Sequence, residues 1–517
     1  MARLQNPFHD FMKKKYAIII GAGFGGLATA CILGKAGYQV SVIEKNERLG
    51  GKANLLQEKG YTFDMGPSWY LMPDVFKKFF HLLDEKVEDY LELVPLSPSY
   101  RIFFKDTDKK IDIFRGTEKN RETFESLEPG SYEKFLDYLK RSEYQYNVAL
   151  GEFVYKNYSS IFDFLNLKMA VEGAKLSVFK KMNSYVKMFF KSPEMQKIMQ
   201  YTLVFLGSSP YNTPALYNIM THVDFNLGVY YPQGGIYKIV EAFEKISKKY
   251  DVSYRLNTAV KKIITQNHLA TGVELETGEV INADLVISNA DIHFTETKLL
   301  STEEQSYSAA YWESRTLAPS ALLIYLGVDG AIPELSHHSL MFAQNWEQGF
   351  KEIFDEPSWP QDPSIYLCNA SKTDPSVAPE GKENIFILVP LAAGLDYTPE
   401  QLEAYEQKIL QEVEVHCHIP NFVKRIEYRK SFCVKDFEHL YNSHKGTALG
   451  LAHTMKQTAV FRPDTVSKKV SNLYYVGANT NPGIGMPMCL ISAELVYKRL
   501  IGDRSGHPLE KIDEEKE

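Results

Sequence analysis

Gly21, Gly23 and Gly26 stand in the spacing G-x-G-x-x-G, and Glu44 follows roughly 20 residues on. These residue types at these intervals suit the holding of a dinucleotide. The first glycine allows a tight turn, the second lets main chain approach a diphosphate, and the third lets a helix lie close on a strand. Ala22, Phe24 and Gly25 complete the turn, and the carboxylate of Glu44 is placed to accept from a ribose hydroxyl. Lys45 follows, then a second glycine pair, Gly50 and Gly51, between Arg48 and Lys52. Such a pair suits another backbone approach to the same diphosphate, with the cations offsetting its charge. A nicotinamide enzyme needs no such element, so FAD is the expected cofactor; the bland alternatives are a glycine turn and a solvated basic turn.

The elements that must position these groups are legible around them. The apolar run before Gly21 reads as a buried parallel strand, the stretch through Ala30 and Leu33 has helical spacing and stops at Gly37, and Val40 to Ile43 form a second strand with Glu44 at its tip. Near the other end, the strand LYYVGA with Gly477 and Ala478 runs through a Gly-Pro turn into a helix expected from Met488. The N–H groups between Gly485, Met486 and Met488 would then face the electron-rich edge of a flavin.

At 517 residues the chain exceeds one comfortable core, so several domains are expected. A net charge of −7 gives no reason to propose nucleic acid as a partner. Cys31, Cys368, Cys417, Cys433 and Cys489 form no C-x-x-C pair and read as reduced thiols of a cytoplasmic protein, with no metal site. No secretory or membrane-spanning segment is read in the chain. The stretch from Lys156 to Lys197 interleaves lysines with Phe162, Phe164, Leu165, Val178, Phe179, Met188, Phe189 and Phe190. It suits either docking on a membrane surface, with the lysines snorkelling, or an amphipathic helix pair packed on the protein's own core.

From Gly21 to Ser68 the chain resembles the flavoprotein family of amine oxidases and carotenoid desaturases, and FDMGPS, Phe63 to Ser68, is similar to the bacterial-type phytoene and diapophytoene desaturases. Four further segments, YYPQGGIYKIVEAF, DPSIYLCNASKTDPSVAPEGKENIFILVP, HKGTALGLAHTMKQTAVFRP and LYYVGANTNPGIGMPMCLISAEL, resemble that family in its usual order. Two departures are Lys52, where the family often has Arg, and Asn481 before Pro482 and Gly483, where it often has His. The resemblance implies an α/β fold: a discontinuous, Rossmann-like FAD-binding domain of the glutathione reductase type, a mixed-sheet substrate domain and a helical membrane-facing region. The expected boundaries are FAD-binding segments at 14–100, 221–294 and 426–503, a helical substrate and membrane region at 101–220, a substrate domain at 295–425 and a charged, frayed tail at 504–517. The family likeness also places Gly66, Pro67 and Ser68 at the cofactor and the backbone of Val260 against the adenine, although Val260 by itself reads equally as a core strand residue.

The activity implied is desaturation of phytoene or a related C30 or C40 polyisoprenoid by hydride transfer to flavin. A substrate insoluble in water implies a monotopic enzyme, peripheral on the inner face of the membrane. A flavin amine oxidase and a non-catalytic prenyl-binding escort are the alternatives, and the oligomeric state stays open. Desaturation needs alignment and dryness from the protein, and the chain shows no Ser-His-Asp set, metal cluster or paired carboxylates. A base, if one is used, is Asp64, Glu494 or a residue of the substrate domain, but the structural reading is the better one for each, Asp64 as a turn acid and Glu494 as a helix-surface acid, so no catalytic residue is assigned. Tyr201, Phe205, Tyr230 and Tyr231 are expected either to line a tunnel or to pack in a core.

Overall fold

β1 (Tyr16–Ile20) is apolar at consecutive positions because both faces of its sheet are covered. Ala17 and Ile19 pack on one side; Ile18 and Ile20 pack on the other. The computed structural model describes residues 14–158 and 180–512. In it β1 is the centre of a five-stranded sheet, all pairs parallel, in the order Leu473–Tyr475, Leu285–Ser288, β1, β2 (Gln39–Ile43), Ser253–Arg255. Three distant stretches of sequence therefore share one sheet. α1 (Phe24–Lys35) joins β1 to β2 and is buried from Phe24 to Gly34, between the final helix Met486–Leu500 and the helix Tyr237–Lys248. At about 1.5–3 kcal/mol for each large apolar side chain withdrawn from water, Leu27, Ile32 and Leu33 fix that position firmly. The opposite face carries an antiparallel meander, Val260–Gln266, Leu269–Leu275 and Val280–Asn282.

A seven-stranded mixed sheet forms the second body, in the order Ile426–Phe432, Ser320–Asp329, Lys382–Leu391, Ile365–Asn369, His338–Phe342, Tyr100–Phe104, Lys110–Ile113. Its pairs are antiparallel except that between His338–Phe342 and Tyr100–Phe104. Period two divides its long central strand: Leu322, Ile324, Leu326 and Val328 pack under the helix Pro399–His416, whereas Ala321, Leu323 and Tyr325 face an aromatic-rich core.

The architecture corrects several expectations. The region expected to be helical from residue 101 opens instead with the strands Tyr100–Phe104 and Lys110–Ile113, which extend the seven-stranded sheet; the helix Ser131–Glu152 comes afterwards. At the other edge of that sheet lies Ile426–Phe432, within the stretch 426–503 expected to bind FAD. Up to residue 512 the tail is packed rather than frayed. Lys498 donates to the carbonyls of Ser505 and His507, Leu509 N–H donates to Glu494, and Ile512 is buried. Glu494 is accordingly a buried acid rather than a surface one, its pKa raised by burial.

Part of the Lys156–Lys197 stretch, with Phe162, Phe164, Leu165, Val178 and Phe179, lies outside the described residues. In the part described, Met182, Tyr185, Val186, Phe190 and Met195 pack in the aromatic core, and Lys197 is buried against Asp106 and the Ala343 carbonyl. Met188 remains exposed. All five cysteines are free and buried, and no helix among the described residues is long and apolar enough to cross a membrane.

Candidate active site

A continuous cavity of about 1480 Å³ runs from the glycine turn after β1 to the face of the seven-stranded sheet. Of the residues singled out in the sequence, Gly21, Gly23, Phe24, Gly25, Glu44, Lys45, Gly50, Gly51, Lys52, Gly66, Pro67, Ser68, Val260, Gly477, Ala478, Gly485, Met486 and Met488 line it. Ala22 and Gly26 lie behind the wall. Arg48 also stays outside, with its guanidinium beside Glu47, so Lys52 is the cation that the second glycine pair brings to the cavity.

The glycines are needed because backbones meet here. Gly50 N–H donates to the Ala22 carbonyl at 2.8 Å, and Gly23 and Gly50 form a parallel bridge. A Cβ on Gly51 would stand 3.0 Å from the Gly23 Cα. Gly21 has φ +91°, the tight turn expected of it. A Cβ on Gly26 would strike the Gly21 carbonyl oxygen, so this glycine serves helix–strand packing as expected. Gly23 and Gly25 close on a residue that sequence reasoning missed: a Cβ at either would lie 2.7 Å from the Asn289 amide. Asn289 follows the strand Leu285–Ser288, and the polar run after an apolar strand was its only signal. α1 begins at Gly23 without a side-chain cap and without an acid in its first turn, leaving its N–H donors to a ligand in the cavity.

Glu44 is buried yet faces the cavity, with its carboxylate held by Ala22 N–H at 2.8 Å and Asn46 N–H at 2.9 Å. Its main chain joins Arg255 and Thr258, bringing the meander and Val260 alongside. Lys45 donates to the His439 carbonyl and the Asn442 side chain, and burial lowers its pKa. Lys52 donates to the Thr447 carbonyl; burial pushes its pKa down to about 8, against the pull of Asp291 and Cys489. Its charge therefore sits toward Asp291 and the final helix.

The closing loop is organised by two residues that sequence reasoning missed. Arg462 is buried, has no acidic partner among the described residues, and donates to the carbonyls of Leu451, Gln457, Ala478 and Thr480. Burial pushes its pKa down to about 10. His453 lies against Gly483, where a Cβ would overlap the ring. Ile484 N–H donates to His453 Nε2 at 3.2 Å, which fixes the proton on Nδ1, facing the Tyr217 hydroxyl at 2.5 Å. Burial holds this imidazole neutral. The final helix starts at Met486, two residues earlier than expected, with Gly485 at its N-cap, φ +120°, and no side-chain cap.

Beyond this loop the walls are apolar: Leu206, Leu216, Ile219, Leu323, Leu340 and Phe342 among others. Met455 and Phe461 line the cavity and are also exposed, 43% and 52%, so its rim is apolar on the outside too. Tyr201 lines the wall as expected of a tunnel residue; Tyr230 and Tyr231 do not, their hydroxyls turning to Arg115 and Asp374. The side chain of Phe205 lies outside the described residues. Asp64 is absent from this cavity. It accepts from Ile236 and Tyr237 N–H at the start of the helix Tyr237–Lys248, and burial pushes its pKa up to about 7. Neither of the bases considered in the sequence reaches the cavity.

The family model for flavin-containing amine oxidoreductases matches residues 24–500. The chain is 46% identical over 488 residues to a carotenoid 3,4-desaturase of Haloarcula japonica, covering 94% of this chain and 98% of that one. It is 34% identical to a zeta-carotene-forming phytoene desaturase of Myxococcus xanthus, covering 94% and 93%. Among solved structures, an oxidoreductase from Methanosarcina mazei shares the fold with a TM-score of 0.61 at 18% identity, covering 93% of this chain and all of that one.

Proposed function

This chain belongs to the flavin-containing amine oxidoreductase family, and from that premise we propose that it is an FAD-dependent carotenoid desaturase. It introduces double bonds into phytoene or a related C30 or C40 polyisoprenoid. FAD, when bound, supplies the acceptor for a hydride leaving carbon. The observation that carries the reading is the continuity of the cavity, in which a glycine cradle with uncapped helix donors opens directly into an apolar channel. An amine oxidase needs an aromatic cage for a neutral amine at the flavin, whereas the loop from Gly477 to Met488 that closes the cradle carries no aromatic side chain.

The residues divide the work by position. Gly21, Gly23, Phe24 and Gly25, with Gly50 and Gly51 opposite, would hold the diphosphate; Glu44 would hold the adenosine ribose, and the backbone at Val260 the adenine. Gly66, Pro67, Ser68, Gly477, Ala478 and the uncapped N–H groups from Gly485 to Met488 would border the ring system, with the helix dipole favouring negative charge there. Ala22 and Gly26 support the cradle from behind. Lys52 adds positive charge near Asp291. The segments around residues 14–100, 221–294 and 460–503 make up the FAD-binding body, and the seven-stranded sheet carries the substrate wall. Apolar walls keep water from the reacting carbon, so a cation formed there is not trapped by hydroxide.

Access from a bilayer follows from the substrate's insolubility. The protein attaches peripherally to the cytoplasmic face through the apolar rim at Met455 and Phe461 and the lysine-rich stretch beside Met188. The deciding experiment incubates the FAD-loaded protein with liposomes containing phytoene or its C30 analogue. Each new conjugated bond shifts absorption to longer wavelength and removes two hydrogens by mass. Unchanged polyenes across both chain lengths and a more desaturated acyclic carotene would refute the reading.

A further inference from the structure

Desaturation removes a proton as well as a hydride, and the acids and bases lining the cavity are nearly all committed elsewhere. Glu44 accepts from two backbone N–H groups, Glu276 is exposed to solvent, and Asp291 accepts from Phe294 N–H and Asn479. Asp362 is paired with Lys105. His453 cannot accept, because Nε2 already takes the Ile484 N–H and Nδ1 carries the proton; among the described residues Tyr217 beside it has no acceptor to pass a proton to except Thr458 at 3.4 Å. Tyr201 differs. It lines the apolar wall, and its hydroxyl donates at 2.9 Å to Asp224, a carboxylate 4% exposed. Tyr100, from the strand Tyr100–Phe104, donates to the same oxygen at 2.7 Å. Among the described residues no cation is paired with Asp224, so the groups facing it are these two phenols.

Resting on the desaturase reading above, we propose that Tyr201 and Asp224 are the proton-accepting pair of the reaction. One carbon of the polyene gives its hydride to FAD. The proton of the adjacent carbon passes to the Tyr201 oxygen as the Tyr201 hydroxyl proton passes to the Asp224 carboxylate, and the electron pair of the broken C–H bond becomes the new π bond. Tyr201 is thus the catalytic residue, and Asp224 acts through it. Desolvation raises the carboxyl to about 7 while the two phenols pull the other way, the range in which a base works best near neutral pH. Tyr100 keeps the carboxylate oriented while Tyr201 hands over its proton.

The test uses the FAD-loaded full chain with phytoene liposomes. Asp224→Asn and Tyr201→Phe should each lower kcat by about 100-fold or more with KM, flavin absorption spectrum and FAD affinity unchanged, and Asp224→Glu should restore much of the rate. The wild-type kcat should rise with pH through an apparent pKa near that of Asp224, a limb that Asp224→Asn loses. Independently of turnover, infrared difference spectra of the flavin-free protein should show one more carboxyl titrating near neutrality in wild type than in Asp224→Asn, since Asp64 and Glu494 are raised into the same range and remain in both. If wild type desaturates and D224N or Y201F runs at a comparable rate, or if D224N loses no carboxyl from the infrared titration of wild type, the pair is refuted and the desaturase reading stands. If wild type desaturates nothing, the desaturase reading falls and the proton pair with it. Should D224N fold poorly, the rate and pH profile of Y201F still decide.

Discussion

Replacing Glu44 with Ala separates a cofactor contact from a folding contact. The carboxylate accepts from Ala22 and Asn46 N–H at 2.8 and 2.9 Å and faces the cavity from the tip of β2. A charge-assisted hydrogen bond to a ribose hydroxyl contributes about 1.5–3 kcal/mol. Its loss should raise the FAD dissociation constant about 10- to 150-fold, at 1.4 kcal/mol per decade. The same substitution leaves two backbone donors without their acceptor, at about 1–3 kcal/mol for a buried group, so the apo-protein should unfold at lower denaturant. The two effects are distinguished by comparing FAD with FMN, which has no adenosine ribose. Quenching of flavin fluorescence on titration into apo-protein reads both affinities, and Glu44→Gln, which keeps one acceptor, should fall between wild type and Ala. An equal loss for FMN and FAD would mean that Glu44 acts on the loop alone, and an unchanged FAD affinity would remove the ribose from this site.

Gly485→Val has room for its side chain, whose nearest atoms would be 3.8 Å away, but φ +120° is closed to a β-branched residue. Displacing the helix start should cut desaturation about 100-fold while FAD remains bound, and wild-type product yield would place the ring elsewhere. Lys180, Lys181, Lys187 and Lys191 together replaced by Glu should reduce flotation with anionic liposomes, as should high salt; equal flotation moves the docking surface. Asp64 has a folded pKa of about 7 against about 3.9 unfolded, so between these values the native state holds a proton that the unfolded state has lost. Its contribution to stability therefore falls as pH rises from about 4 to about 7, by up to about 1.4 kcal/mol per unit, and is level beyond. Asp64→Asn should flatten that part of the stability curve; an unaltered slope in chemical unfolding from pH 4 to 7 counts against the assignment.

The glycine cradle, Glu44, the flanking strands and the final helix were legible in the sequence because each rests on local rules. Positive φ, close backbone approach and strand or helix period act over a few residues, and the residue types announce them. The family segments stood in order for the same reason. Contacts between distant stretches had no local signal. Asn289 lies under Gly23 and Gly25, His453 against Gly483, Arg462 under the carbonyls of Ala478 and Thr480, and Asp224 behind Tyr201. None of these side chains has a spacing that predicts its partner; the sheet order and the packing of the final helix on α1 decide who meets whom. Strand membership was hidden likewise, since Tyr100–Phe104 finds its partner in His338–Phe342 only after the intervening chain has folded back. Burial then set the charges: Lys52, Asp64, Asp224 and Arg462 look like ordinary solvated groups in the sequence, and only withdrawal from water shifts each toward its neutral form.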